Sequence, residues 1–408
     1  MAGDAKGEGP GQRRALTILF VTVFIDLLGF GIVIPLLPLY AEEFGASAVT
    51  VTWLVAVYSL MQFLVAPWWG AQSDRYGRRP ILLIGLFGSG ISYLVFGLAG
   101  SLALLFAGRL LAGVMGANIG VAQAYVADVT SIEDRARGMG VIGAAFGLGF
   151  IFGPVAGGLL APFGMAVPFL CASALAFLNG FLAIFWLPES RMAAERVEPG
   201  GSGVGARARR LAVLSRDPAM RGLYIAFFLI TFAFAGLEAT LSLWADRRWS
   251  FSAAEVAYLF GYLGLVVTIV QGGLVGPIVR RLSERRAALL GSALFGLGLV
   301  ATALAPNLIM LCVALAVLGF GQGLAVPAVS ALISIVAPLR EQGQLLGVSQ
   351  SLSALGRVFG PLWGGLALSR LGLGAPYFSA AAVVLLAALV LFFSLTADVS
   401  DHRQAEVV

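Results

Sequence analysis

The chain has 408 residues, of which 59% are hydrophobic and only 12% charged, and its formal net charge is +5. A mean hydropathy of +0.94 sets it apart from ordinary soluble domains. Lys6 is the only lysine and lies far from any Gly-Lys-Ser/Thr pattern, so a P-loop ATPase is excluded. His402 is the only histidine, which leaves no histidine metal cluster. Cys171 and Cys312 both fall in apolar segments, so no disulfide framework is expected. No metal and no cofactor is expected.

A spanning helix uses about 20 apolar residues, and twelve of them use roughly 240 positions. In chain order the apolar runs predict spans at 15–40, 49–71, 81–99, 102–127, 138–161, 166–187, 222–245, 256–279, 287–305, 308–337, 343–368 and 372–396. In lipid the backbone must satisfy its own hydrogen bonds, so runs of this length are helices. The first is not a secretory signal: it is too long, it holds Asp26, and no small-residue cleavage site follows. Between spans six and seven a polar stretch carries Pro199, Gly200, Gly201, Ser202, Gly203, Arg207, Arg209 and Arg210 and reads as a flexible linker. Within the fifth span, Phe152–Gly158 reads FGPVAGG, and within the eleventh, Phe359–Gly365 reads FGPLWGG. The recurrence predicts two copies of a six-helix unit. The expected fold is an all-α membrane protein of twelve transmembrane helices in two pseudo-twofold six-helix bundles, 1–187 and 221–408, joined by a linker over 188–220.

Basic residues set the orientation. Of 26 Lys and Arg, Arg247, Arg248 and Arg370 fall in loops on one face, and Arg109 and Arg357 lie within spans. All others lie on the face that holds the N-terminus. Both termini are therefore expected in the cytoplasm, and the positive charge reflects this bias rather than nucleic-acid binding.

Inside the spans the charged residues are Asp26, Arg109, Glu238 and Arg357, one acid and one base per half. Each costs about 2.5–3.5 kcal/mol or more at a helix centre, which makes each a functional candidate. One reading is that Asp26 and Glu238 face a central cavity and exchange protons, tuned by burial and by the arginines. The other is a fixed set of acid–arginine pairs that holds helices together. Gln62, Asn118, Gln123, Gln271, Gln322 and Gln350 are amides in apolar surroundings, each needing a partner or water. Together they predict a partly wet, substrate-binding interior, although interhelical hydrogen bonding serves any one of them as well. Phe30, Tyr58, Phe146, Phe234, Trp244 and Tyr262 are aromatic candidates for an apolar pocket or for ordinary packing.

The second-to-third connection runs Gly70 to Pro80 and holds Asp74, Arg75, Gly77, Arg78 and Arg79. Gly77 suits a left-handed turn, Pro80 a helix start, and Asp74 a place at a helix N-terminus. Arg78 is positioned to bind a carboxylate on a neighbouring helix, with Asp128 as the partner. The loop then acts as a conformational latch; the alternative is a basic loop that only sets topology. Aligning Gly85 with Gly291 puts Gly70 on Gly276 and Arg79 on Arg285, while Arg280 replaces Asp74 and Glu284 replaces Arg78. In helix five, Gly143, Gly147, Gly149, Gly153, Pro154, Gly157 and Gly158 predict a smooth, bendable packing face.

On these residues the chain resembles the major facilitator superfamily, in the drug/proton antiporter group that includes the tetracycline efflux proteins. Gly70–Pro80 is similar to the superfamily's signature loop, which implies the Asp74, Arg78 and Asp128 latch. Gly108–Gly113 resembles the fourth-helix motif, whose Arg109 the resemblance associates with proton coupling. Gly149–Gly158 resembles the fifth-helix antiporter motif, and Asp26–Pro38 the first-helix motif. The chain departs from the tetracycline pattern at Ser92, Phe295 and Val267, where those antiporters carry two acids and a histidine.

The resulting expectation is a monomeric, multi-pass transporter of the bacterial inner membrane, not an enzyme. It would exchange protons for a lipophilic or cationic small molecule through Asp26, Arg109 and Glu238, with Arg357 at the substrate site. A proton-coupled uptake symporter for a nutrient or metabolite is the alternative. A non-transporting membrane receptor is a third reading, which requires the buried charges to be irrelevant to flux. No nucleophile–base pair supports a membrane enzyme.

Overall fold

The computed structural model describes residues 10–116, 118–130, 135–190, 218–336 and 342–394. Most of the expected linker (191–217) lies outside them. The described residues form helices with short turns and no strand: α1 Pro10–Glu43, α2 Ala48–Tyr76, α3 Arg78–Gly97, α4 Leu102–Met115, α5 Asn118–Val129, α6 Arg135–Leu160 and α7 Ala166–Trp186 in the first half. The second half holds α8 Pro218–Trp249, α9 Ala253–Ile269, α10 Val275–Leu282, α11 Glu284–Leu304, α12 Leu308–Val336, α13 Gln342–Arg370 and α14 Ala375–Ser394.

The fourth expected span holds α4 and α5, with residue 117 between them outside the described residues, and the eighth is a continuous helix in which a π-helical turn, Val270–Leu274, joins α9 to α10. Among the described residues eleven spans are long and apolar enough to cross a membrane. The remaining one, α13, has 29 residues but is diluted by Ser349, Gln350, Ser351, Ser353 and Arg357. It packs along α8 and α2 in line with the rest. Helix starts are capped by serines. Ser47 and Ser101 accept backbone N–H groups at α2 and α4, and Ser252 forms a reciprocal capping box with Glu255 at α9.

The sequence repeat is also a repeat of contacts. α6 packs on α1, and its counterpart α13 packs on α8. Gly153 meets Gly31: a Cβ on Gly153 would lie 2.7 Å from the Gly31 Cα. Gly360 meets Phe232 and Gly236: a Cβ there would lie 2.3 Å from the Phe232 carbonyl oxygen and 3.0 Å from the Gly236 nitrogen. Backbone touches backbone at both places, and only glycine permits that.

The same two helices also join the halves, α6 through α9 and α13 through α2. Gly158 lies against Ala254, Ala257 and Tyr258, and Gly365 against Thr52. At this end Leu243, Ala257 and Leu368 of the second half enter a buried cluster otherwise built from first-half residues such as Leu36, Val51 and Phe96. Ser242 donates to the Pro35 carbonyl at 2.9 Å, and Arg247 pairs with Glu42 at 2.7 Å. At the opposite end the halves diverge. Among the described residues α5 packs chiefly on first-half helices and α10 chiefly on second-half elements. Gly70, Gly140, Gly143, Gly272, Gly273 and Gly347 face open space there. Among the described residues the halves are thus sealed to each other at the face bearing the α1–α2 connection and open toward the face bearing Gly77.

Candidate transport site

Arg109 sits on α4 and is only 4% exposed. Its Nε donates to the Leu54 carbonyl at 3.3 Å, and its guanidinium lies 4.8 Å from the centre of the Tyr58 ring. Glycines around it explain how α2 and α4 come so close. Gly108 leaves room for the Phe96 ring, and a Cβ on Gly113 would lie 2.6 Å from the Tyr58 carbonyl oxygen. Gln62 and Trp69 of α2 add hydrogen bonds to the Gly116 and Val114 carbonyls at 2.8 and 2.6 Å.

The other charges within the spans come from both halves. Glu238 on α8 and Arg357 on α13 are half-buried, as is Asp26 on α1. Arg109 and Arg357 both act electrostatically on Glu238, and Asp26 acts on Tyr58 and Tyr93. Arg357 donates to Ser353 one turn away at 2.7 Å. The four charges singled out in the sequence thus lie on α1, α4, α8 and α13, with Arg109 and Arg357 of different halves both within electrostatic range of Glu238. Phe30 lies 5.4 Å from Tyr58 and 6.1 Å from Phe150, which continues to Phe146 at 6.4 Å, so an aromatic row borders the charges.

The amides divide. Gln62 bonds across helices, as above. The carbonyl oxygen of Gln322 is buried with no hydrogen-bond partner among the described residues. Gln271 lies in the π turn and is exposed, as are Gln123 and Gln350. Asn118 opens α5, and its side chain lies outside the described residues. Phe234 packs 6.4 Å from Phe295, and Tyr262 is half-buried. Trp244 belongs to the core instead of a pocket: it is 1% exposed and stacks edge-on to Tyr377 and Trp249. The three positions that depart from the tetracycline pattern also have structural places. Ser92 is buried and bonded to the Gly88 carbonyl at 2.8 Å, Phe295 is fully buried, and Val267 packs against the second-half core.

At the open face the α2–α3 turn is an ion cluster. Arg78 is 7% exposed and pairs with Asp74 at 2.8 Å and Asp128 at 2.9 Å, while its third nitrogen donates to Ser73 at 2.6 Å. The Arg78–Asp128 pairing is the one expected from the loop sequence. Arg75 is exposed and lies over the Tyr76 ring at 5.2 Å. The N-terminus of α3 is occupied by Glu189, which accepts the Arg78 and Arg79 N–H groups at 2.9 and 3.5 Å. Gly77 has φ +104°, and a Cβ there would stand 2.3 Å from the Glu189 carboxylate. Ser190 donates to Asp128 at 3.2 Å, Tyr125 to the Pro188 carbonyl at 3.0 Å, and Arg79 to the Ile184 carbonyl. Pro188–Ser190, expected to start the linker, is thus fastened to the first half. Sequence reading missed Glu189 and the Glu42–Arg247 pair. The only signals were an acid just past the end of a span and two opposite charges at the edges of two others.

The profile of the Major Facilitator Superfamily matches residues 19–284 and 249–406. The chain is 36% identical over 360 residues to the class C tetracycline resistance protein of Escherichia coli, covering 86% of this chain and 89% of that protein. It is 32% identical over 378 residues to multidrug resistance protein 2 of Bacillus subtilis (strain 168), covering 92% and 93%. The crystal structure of the human organic anion transporter MFSD10 (TETRAN) superposes with a TM-score of 0.72 at 29% identity, covering 94% of this chain and all of that one. Fold and site define a multi-pass membrane transporter of small molecules, not an enzyme. The chain belongs to the Major Facilitator Superfamily, among relatives of the tetracycline and multidrug resistance proteins.

Proposed function

We propose that this protein is a drug/proton antiporter of a bacterial inner membrane, with both termini in the cytoplasm. It exports a lipophilic or cationic small molecule by rocking two six-helix bundles, 1–187 and 221–408, about the seams that α6 and α13 make. The observation that supports this reading is a buried Arg109 held on α2 by the Leu54 carbonyl and the Tyr58 ring, within electrostatic range of Glu238 on the other half. Buried charges at the site of alternate opening can exchange a proton for a cation as one face closes and the other opens. Glycine contacts at Gly153, Gly158, Gly360 and Gly365, beside the kink-prone Pro154, support a rigid-body motion along smooth helix faces. The Arg78–Asp74–Asp128 cluster is the latch of the face that is open here. A proton gradient and potential supply the drive, about 2.3 kcal/mol per charge at 100 mV.

The test is ethidium accumulation in inverted membrane vesicles energised by acidification of their interior. Asp26→Asn and Glu238→Gln are expected to abolish it while membrane levels of the protein stay unchanged; full transport by both variants would remove these carboxylates from the mechanism. A second reading is export of an organic anion, favoured by Arg109 and Arg357 at the same site. It predicts that a fluorescent anion such as calcein, and not ethidium, accumulates.

A further inference from the structure

Among the described residues Arg109 is the most deeply buried charged side chain, and it forms no ion pair. Arg109 is almost fully buried, yet among the described residues no carboxylate lies within 4.0 Å of it. A buried guanidinium without an ionic partner is expensive and must find other electron-rich groups. Here they come from one helix, α2, at positions one turn apart. The Leu54 carbonyl takes the Nε proton at 3.3 Å, and the face of Tyr58 takes the cation at 4.8 Å. The ring is itself fixed. Phe30 lies against it at 5.4 Å, and a Cβ on Gly116 would stand 2.9 Å from the Tyr58 hydroxyl.

Glu238 of the other half is electrostatically coupled to Arg109 without being bonded to it. We propose that Tyr58 is the positioning residue of Arg109, a bed that keeps the guanidinium on α2 and off Glu238 while the molecule is open toward the Gly77 face. The ring competes with the carboxylate for one cation. A cation–π contact in a desolvated site is strong enough to hold it and weak enough to release it. Motion of α8 relative to α2 then decides whether Arg109 rests on the ring or on the acid. The aromatic face does this work, and the hydroxyl is not required. The proposal rests on the reading that Arg109 takes part in transport.

The experiment uses full-length protein in bilayers and two readouts. The first is the set of Arg109 Nη–H resonances by nuclear magnetic resonance, assigned by their disappearance in Arg109→Lys. A proton over a ring face is shifted upfield, so the shift is expected in the wild type and in Tyr58→Phe and is expected to vanish in Tyr58→Met. The second is ethidium flux, expected to stay at the wild-type level in Tyr58→Phe and to fall about tenfold in maximal rate in Tyr58→Met, with little change in half-saturation. Absence of the shifted signal in the wild type overturns the proposal, as does Tyr58→Phe being as impaired as Tyr58→Met. Wild-type flux in Tyr58→Met with the signal gone overturns it too. Arg109→Gln separates the two readings. If that variant transports normally, the role of Arg109 in transport falls; if it is inactive while Tyr58→Met is normal, only the role of Tyr58 falls.

Discussion

The turn between α2 and α3 and the turn between α10 and α11 hold matching places in the two halves, and they share a backbone but not a chemistry. Both chains reverse through a residue with positive φ, Gly77 at +104° and Ser283 at +75°. In both, an arginine two residues later reaches back to a carbonyl near the end of the sixth helix of its half, Arg79 to Ile184 and Arg285 to Phe392. Only the first turn adds an ion cluster, because Arg280 and Glu284 stand where Asp74 and Arg78 stand in the other copy. The packing features recur in both copies, whereas the ion cluster is seen in one of them. The glycine seams differ in the same way. A Cβ on Gly158 would stand 3.0–3.1 Å from its neighbours, while a Cβ on Gly365 would lie 2.0 Å from the Thr52 hydroxyl oxygen.

The largest effect is expected from removing the ion cluster. Arg78→Ala strands two carboxylates and is expected to cost about 2–3 kcal/mol, less than a fully buried pair because Asp74 is 46% exposed. Glu284→Ala, at the matching place, is expected to stay within about 0.5 kcal/mol. Thermal unfolding in detergent measures both, and equal losses would break the comparison. Next come the seams. Gly365→Ala is expected to cost about 1–3 kcal/mol of the sealed state by overpacking, and Gly158→Ala less. Thiol labelling of a cysteine placed at Gly272 reads the population, and Thr52→Ala is expected to restore the Gly365→Ala protein. The smallest effect is the exchange of the turn residues. Gly77→Ser is expected to destabilise by about 1–2 kcal/mol, since it adds strain and displaces Glu189, whereas Ser283→Gly is expected to stabilise by about 1 kcal/mol or less. A loss in both variants would show that Ser283 has a role beyond making the turn.

Much of the fold is legible in the sequence because lipid leaves the backbone few choices. Apolar length locates the spans, and the two FGP blocks locate the helices that recur. The Arg78–Asp128 pair was legible too, since two short connections leave the arginine few acids to reach. What could not be read depends on contacts across space. Glu189 is one of several charges beside the linker, and only the folded turn shows that its carboxylate fills the space Gly77 leaves. Glu42 and Arg247 lie at the edges of spans, where charges are ordinary, and only the approach of α1 to α8 pairs them. The π-helical turn within the eighth span leaves no clear mark on hydropathy, because the segment around Gln271 stays largely apolar. Trp244 illustrates the converse: an aromatic on a helix with buried charges can still belong to the core.

The central claim is that the two halves part at the Glu42–Arg247 end in every transport cycle. Cysteines placed at Glu42 and Arg247, in a protein whose Cys171 and Cys312 are replaced by serine, can be joined by a short bis-maleimide. The account predicts that cross-linking stops ethidium flux, whereas modification of either cysteine alone leaves it running. Undiminished flux through the cross-linked protein would contradict it.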